Sequence, residues 1–140
     1  MISDSVLLSL QRATHRTLHA LTTTLTHDAA LDLTPSEINC LANLADQRPR
    51  SVRDLADDTG TRTTTLTGVL DRLERRGHVT RELDPTDRRS FRITLTASGR
   101  AVARKIGAAI TDLETTALAG VSARQLAGYH AVIAALQEIP

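Results

Sequence analysis

Apolar residues recur at helical spacing along most of the chain, and this periodicity predicts six helices. The first covers residues 4–30, where leucines fall on one narrow stripe: Leu7, Leu10, Leu18, Leu21 and Leu25. A second helix begins at Thr34 and Pro35, a favourable cap and first position, with Glu37 completing a capping box. It runs to about residue 45, and residues 47–50 break it.

A tight pair of helices follows, and then the pattern changes to short strands. Ser51 caps a short helix that ends at residues 59–60, and Thr61 or a neighbour caps the next helix, which ends at Gly77. Alternating apolar residues predict strands over residues 78–83 and 90–95, joined by the loop 84–89. Thr96 caps a long helix up to Gly120, and a capping box of Ser122 and Gln125 begins the last.

This order of elements predicts a mainly α fold with a small β-hairpin wing, which is a winged helix-turn-helix with N- and C-terminal flanking helices. In one compact chain, residues 33–96 form the winged helix-turn-helix, and residues 1–32 and 97–140 form the helical regions that flank it.

Composition limits the function classes. The chain has 140 residues, one Phe, one Tyr and no Trp, so ligand binding by aromatic stacking is not expected. The single cysteine, Cys40, excludes an intramolecular disulfide. No apolar stretch is long enough to span a membrane, and the N-terminus does not resemble a signal peptide. We therefore expect a soluble cytoplasmic protein without a membrane partner.

Charge is concentrated in the middle of the chain. Residues 48–104 contain 13 Arg and 8 Asp or Glu, a net +5, whereas the remainder holds 4 cations and 8 acids, a net −4. Sixteen of the 17 cations are arginine, which suits bidentate phosphate and base contacts. The distribution favours nucleic acid as the partner of the middle segment.

The fourth helix divides into two faces. Leu66, Val69, Leu70 and Leu73 recur at core spacing, while threonines crowd the outward side. Threonine is a mediocre helix former, but its hydroxyl and methyl groups can contact phosphates and base edges. The predicted DNA contacts of this helix are Arg62, Thr63, Thr64, Thr65, Thr67, Gly68, Arg72 and Arg75, and Arg76 is also placed to meet phosphates. A solvated amphipathic helix would show the same two faces.

The loop after the first strand places cations at a hairpin tip. Asp84-Pro85 begins a turn, and Asp87-Arg88-Arg89 forms its tip. Arginine at such a tip can enter the narrow minor groove, and a nearby carboxylate can hold its guanidinium. An ordinary charged hairpin explains the charges but not its position directly after a helix-turn-helix.

Residues 33–100 resemble the multiple-antibiotic-resistance regulator (MarR) family of winged-helix repressors. The resemblance lies in Asp71-Arg72-Leu73-Glu74, Asp84-Pro85, Asp87-Arg88-Arg89, Leu95-Thr96 and Gly99-Arg100. It implies a homodimeric repressor that binds a pseudo-palindromic operator, with the recognition helix in the major groove. In such a protein residues 33–96 would be the DNA-binding region, and residues 1–32 and 97–140 would supply the N- and C-terminal dimerisation helices. By the match, Arg89 is the minor-groove arginine and Asp87 is its partner. Gly68 departs from the bulkier residue that the family usually carries, so operator preference cannot be transferred from relatives.

The resemblance also implies control by a small-molecule effector, held between the dimerisation helices and the reading lobe. The candidate effector residues are His15, His19, Cys40 and Val102. A redox-responsive regulator through Cys40 is one alternative, although a buried structural thiol is favoured. A metal-responsive regulator through His15 and His19 lacks a completing carboxylate. A winged helix that binds only proteins is a further alternative.

An enzyme is not expected, because the chain contains no nucleophile motif, phosphate-binding loop or HExxH motif. For the same reason no catalytic residue, metal site or cofactor is predicted.

Overall fold

The structure is a computed structural model that describes residues 4–27 and 31–140. These residues form six helices and three strands, with the following bounds: α1 (Val6–Thr26), α2 (Pro35–Leu44), β1 (Arg50–Ser51), α3 (Val52–Thr59), α4 (Thr63–Arg75), β2 (Val79–Leu83), β3 (Phe91–Leu95), α5 (Ala97–Ala117) and α6 (Ala123–Gln137). The predicted mainly helical fold with a small β wing is confirmed. The chain divides into two compact units, Met1–Ile110 and Thr111–Pro140.

The core of the first unit is aliphatic and joins the three short helices to the sheet. Its most deeply buried side chains include Ile38, Leu41, Leu44, Leu55, Leu66, Leu70, Leu73, Val79, Ile93 and Ile106. The predicted inward face of α4 is confirmed, because its four apolar residues are no more than 2% exposed. Burial of this face leaves the threonine side of α4 on the surface.

The sheet has three antiparallel strands in the order β1-β3-β2. The prediction of a two-stranded hairpin was therefore incomplete, since the stretch predicted only to break the second helix ends in β1. Arg50 pairs with Ile93, and Leu83 pairs with Phe91 at the far end of the hairpin. A two-residue strand has no alternating pattern to detect. Arg50 is instead held by ion pairs to Asp46 and Asp58, at 2.6 and 2.9 Å.

Helix caps agree with the sequence at most positions. Ser51 and Thr34 accept backbone N–H groups as predicted, and the capping box at the start of α6 is complete. One cap prediction was wrong. The Glu37 side chain does not return to the Thr34 backbone, because its carboxylate pairs with Arg72 and Arg76 instead. For α4, where Thr61 or a neighbour was predicted as the cap, the N-cap is Arg62, and no side chain caps that first turn.

The wing is joined to α5 through Thr96. Its N–H donates to the His78 carbonyl oxygen (3.0 Å), and its hydroxyl donates to the Gly77 carbonyl oxygen (2.6 Å). The Thr96 hydroxyl oxygen also accepts the Gly99 N–H, which confirms the predicted cap of α5. A Cβ on Gly99 would lie 1.9 Å from the His78 carbonyl oxygen, so this position requires glycine.

α1 begins at Ser5, which caps it, and ends at Thr26. The predicted continuation to residue 30 lies partly outside the described residues. Of the predicted leucine stripe only Leu25 is buried, and Leu7 and Leu18 are exposed. None of the helices in the described part of the chain is long and apolar enough to cross a membrane.

The second unit contains the end of α5 and all of α6. α6 has no buried residue, although the sequence predicted an apolar stripe along it. Large apolar side chains of this unit remain exposed: Leu118, Val121, Leu126, Tyr129, Val132 and Ile139.

Candidate nucleic-acid interface

The outward face of α4 is a row of exposed threonines that begins at an uncapped helix end. Thr63, Thr64, Thr65 and Thr67 are exposed, and Gly68 is half-buried. The Thr67 hydroxyl donates to the Thr63 carbonyl oxygen at 2.8 Å, which leaves its oxygen as an acceptor. Because no side chain caps the first turn, its N–H groups carry the positive end of the helix dipole toward solvent.

Ion pairs within the chain hold some arginines of the basic segment and leave others at the surface. At the start of α4, on α4 and on the wing, the described residues Arg62, Arg75, Arg88 and Arg89 have no ion-pair partner and are exposed, as are Arg48, Arg53 and Arg104 elsewhere in the segment. A second group is held by carboxylates of the same chain: Arg50, Arg72, Arg76 and Arg81. All of these arginines carry the same charge in the sequence, and only the folded structure shows which of them form ion pairs.

Arg72 and Arg76 meet the same carboxylate. Glu37 of α2 is 2% exposed, and its Oε1 accepts from Arg72 Nε at 3.2 Å. Its Oε2 accepts from Arg76 Nη1 at 3.1 Å, and that nitrogen also donates to the Asp32 carbonyl oxygen at 2.7 Å. These contacts fix the C-terminal half of α4 on α2.

Arg81 fixes the wing against α4. Its Nη2 donates to the Asp71 carboxylate and lies 3.4 Å from the Thr67 carbonyl oxygen, while its Nε lies 3.6 Å from a Glu74 oxygen. Arg81 belongs to β2, and its three partners belong to α4. The hairpin and the threonine face are therefore held as one piece.

Two aspartates build the turn at the wing tip. Asp84 Oδ1 accepts from the Thr86 N–H (2.9 Å) and hydroxyl (2.7 Å), and these bonds lower the pKa of the Asp84 carboxyl. Asp87 Oδ1 accepts the backbone N–H of Arg89 at 3.0 Å. Within residues 84–90 no ion pair joins Asp87 to the Arg89 guanidinium. Asp87, the predicted partner of the Arg89 side chain, instead binds the Arg89 backbone N–H.

Comparison with known proteins gives a consistent result. Residues 31–90 match the model of the MarR family. The transcriptional regulator YcgE of Bacillus subtilis is 41% identical over 80 residues, which are 54% of this chain and 52% of that protein. The match thus spans about half the length of this curated relative.

Over residues 31–90 the chain is similar to the MarR family of winged-helix transcriptional regulators.

Solved structures show the same fold. NadR in complex with 4-hydroxyphenylacetate superposes with a TM-score of 0.86 at 23% identity, covering 97% of this chain and 94% of NadR. The MepR–DNA complex of Staphylococcus aureus superposes with a TM-score of 0.78 at 19% identity, covering 94% and 95%. The similarity to MarR family regulators over residues 31–90 supports the expectation of a regulator rather than an enzyme.

The four candidate effector residues of this chain do not share one environment. His15 and His19 are exposed on α1, whereas Cys40 is fully buried and Val102 is 9% exposed. Burial, with the negative charge of Glu37 beside it, raises the pKa of the Cys40 thiol to about 12. The thiol is therefore protonated and shielded, which favours a structural role over oxidant sensing.

Metal sensing through His15 and His19 gains no support from the described residues, where no group of three His, Cys, Asp or Glu side chains could hold an ion.

Sequence reasoning missed two residues that shape the interface. Glu37 was interpreted as a capping residue, although its carboxylate is bound by Arg72 and Arg76, which follow it by 35 and 39 residues. Arg81 was not singled out as part of the interface. Neither pairing has a local sequence signal, because each joins elements that meet only after folding.

Proposed function

We propose that this chain is a repressor that binds double-stranded DNA sequence-specifically as a homodimer. The threonine face of α4 enters the major groove, and the wing places Arg89 in the minor groove. The proposed contacts of the helix are Arg62, Thr63, Thr64, Thr65, Thr67, Gly68 and Arg75, and those of the wing are Arg88 and Arg89.

One observation carries this proposal. The fold pairs some arginines with internal carboxylates but leaves Arg62, Arg75, Arg88 and Arg89 exposed on the helix and the wing, without ion-pair partners in the described chain. Exposed guanidinium groups without an internal partner are available to form charge-assisted hydrogen bonds with phosphates. Because Arg81 locks the wing to α4, both sets of contacts are presented in a fixed geometry.

The proposed homodimer is supported by unpartnered apolar surface. The second unit exposes Leu126, Tyr129 and Val132 along α6, and α1 exposes Leu7 and Leu18. Large apolar side chains exposed on a helix are typical of an interface, and a second copy would cover them. We place dimerisation in residues 1–32 and 97–140 and reading in residues 33–96. Two lobes then read half-sites about 34–36 Å apart, one helical turn of DNA.

We propose further that a small molecule releases the protein from DNA. The support is comparative, since the similar NadR was solved with 4-hydroxyphenylacetate and the similar BpsR of Bordetella bronchiseptica is regulated by 6-hydroxynicotinic acid. Thermal denaturation with a panel of small aromatic acids tests this part. A ligand that raises the melting temperature and weakens the mobility shift supports it, and a panel without effect counts against it.

The test of the main proposal is a mobility-shift titration across salt concentrations. The probes are the DNA upstream of the protein's own gene and a random duplex of equal length. We expect tighter binding to the upstream DNA and a steep loss of affinity with salt, because phosphate contacts release counterions. Equal, weak binding to both probes would instead favour a winged helix that contacts only proteins.

A further inference from the structure

Glu37 is the buried charged side chain of the described residues, at 2% exposure. A carboxylate removed from water is tolerated only when it is paired and hydrogen-bonded. Here each oxygen accepts from a different arginine of α4, Arg72 at 3.2 Å and Arg76 at 3.1 Å. Both cations come from the helix that is proposed to read DNA.

The two arginines are held but remain at the surface. Their side chains are 46% and 35% exposed, so they lie between the buried carboxylate and solvent. A Cβ on Gly68 would lie 3.9 Å from Arg72 Nη1, which places that guanidinium next to the outward face of α4. Without Glu37, Arg72 would be a mobile cation beside the reading surface.

We infer that Glu37 is a specificity-determining positioning residue, which fixes α4 on α2 and keeps Arg72 and Arg76 from serving as general phosphate contacts. This inference rests on the proposed DNA binding. Glu37 itself touches no DNA in this arrangement, since it is buried behind α4. Its effect on DNA is transmitted by the two guanidinium groups.

The physical basis is the difference between phosphate and base contacts. Phosphate contacts add affinity for every sequence, whereas discrimination requires α4 to sit at a defined depth and angle in the groove. A guanidinium that is neutralised by a buried carboxylate contributes little to binding of random DNA. Loss of the carboxylate releases two cations and loosens α4, so random binding rises as operator binding falls.

The principal test compares wild type with Glu37→Gln, using salt titrations on the upstream DNA and on the random duplex. We expect the ratio of the two affinities to fall at least about tenfold, since two cations bind any phosphate once released. The salt slope on random duplex should steepen by up to about two, at roughly 0.9 per added phosphate contact. A ratio within about twofold of wild type overturns the inference, because random and specific binding then share all their phosphate contacts.

Asp57→Asn is the matched control. It removes one carboxylate from the exposed surface of α3, where no ion pair of the described chain involves it. The change in net charge is the same, but no guanidinium is released. We expect both affinities to rise by the same factor and their ratio to stay at the wild-type value. An equal fall of the ratio in this control would overturn the inference.

A second experiment measures the effect of Arg72→Gln on DNA binding, once in the wild-type protein and once in the Glu37→Gln variant. In wild type, Arg72→Gln should leave the salt slope on random duplex unchanged, whereas in the Glu37→Gln background it should lower the slope by about one. Equal loss in both backgrounds overturns the inference, because Arg72 then contacts phosphate even when Glu37 is present. Circular dichroism and sedimentation check folding. If Glu37→Gln does not fold, the wild-type Arg72→Gln slope alone decides.

The experiments distinguish failure of the proposed DNA binding from failure of the proposed role of Glu37. If wild type binds upstream DNA no better than random duplex, the DNA-reading function itself fails. If wild type discriminates and Glu37→Gln discriminates equally well, only the role of Glu37 is lost.

Discussion

Among the wing-tip residues, Arg89 is the one whose loss should lower DNA affinity most while leaving the oligomeric state unchanged. Its guanidinium is exposed, it has no ion-pair partner in residues 84–90, and Asp87 already fixes its backbone. We expect Arg89→Ala to weaken upstream-DNA binding by roughly tenfold, about 1.4 kcal/mol. Sedimentation should show an unchanged oligomeric state, because the wing lies outside the proposed dimerisation region.

Arg124→Ala is the control for this variant. It removes an exposed arginine from α6, outside the basic segment, and should leave DNA affinity near the wild-type value. Fluorescence anisotropy measures both variants. Wild-type affinity in Arg89→Ala would contradict the assignment of the wing arginine.

Cys40 provides a second test at the residue scale. Burial and the neighbouring charge of Glu37 raise its pKa to about 12, and its side chain is 0% exposed. At neutral pH the reactive thiolate is therefore scarce, and reagents cannot reach it. We expect no labelling by a maleimide in the native protein and one label per chain after denaturation. Rapid native labelling would restore the redox-responsive alternative.

At the scale of the element, Gly68 is the residue that lowers the helical stability of α4. Glycine inside a helix costs about 1 kcal/mol relative to alanine. A Cβ at this position meets only Arg72 Nη1, at 3.9 Å, so alanine fits without strain. We expect Gly68→Ala to raise the free energy of unfolding by about 1 kcal/mol, measured by urea denaturation.

The same variant shows what Gly68 does on DNA. A loss of affinity despite higher stability would indicate that the backbone approaches DNA closely at Gly68. Unchanged affinity would assign the glycine to helix flexibility alone. Lower stability would contradict the packing seen around this position.

Elements with a local signal were predictable from sequence, and elements defined by distant partners were not. The inward stripe of α4 and the capping box of α6 depend on residues a few positions apart, and both were found. β1 was missed because it exists only through pairing with β3 and through Arg50, which bridges Asp46 and Asp58. The sequence left the cap of α4 open between Thr61 and a neighbour; the N-cap is Arg62, and the Thr61 hydroxyl donates to the Thr59 carbonyl oxygen.

The candidate site was predictable in position but not in its internal pairing. The sequence placed arginines on α4 and the wing, and the fold keeps them there. Whether a given arginine faces solvent or a carboxylate depends on α2, which lies some 35 residues upstream of Arg72. Charge counts along the chain contain no information of that kind.

At the scale of the whole molecule, charge and apolar surface are separated along the chain. The net +5 of residues 48–104 coincides with α3, α4 and the wing. The exposed apolar side chains of the second unit lie outside that segment. This division is consistent with the proposal that the middle of the chain binds DNA and that the two ends form the dimer interface.

The dimer gives the last prediction, and the double variant Leu126→Glu, Tyr129→Glu tests it. Both side chains are exposed on α6, so charges there should not disturb a core but should repel across an interface between copies. We expect wild type to sediment as a dimer and the variant as a monomer with its helical content intact. Gln47→Glu, which adds a charge in the reading region, should stay dimeric. Because each lobe reads one half-site, the variant should protect half of the wild-type footprint and bind upstream DNA far more weakly. A monomeric wild type, or a variant that remains a dimer, would contradict the proposed interface.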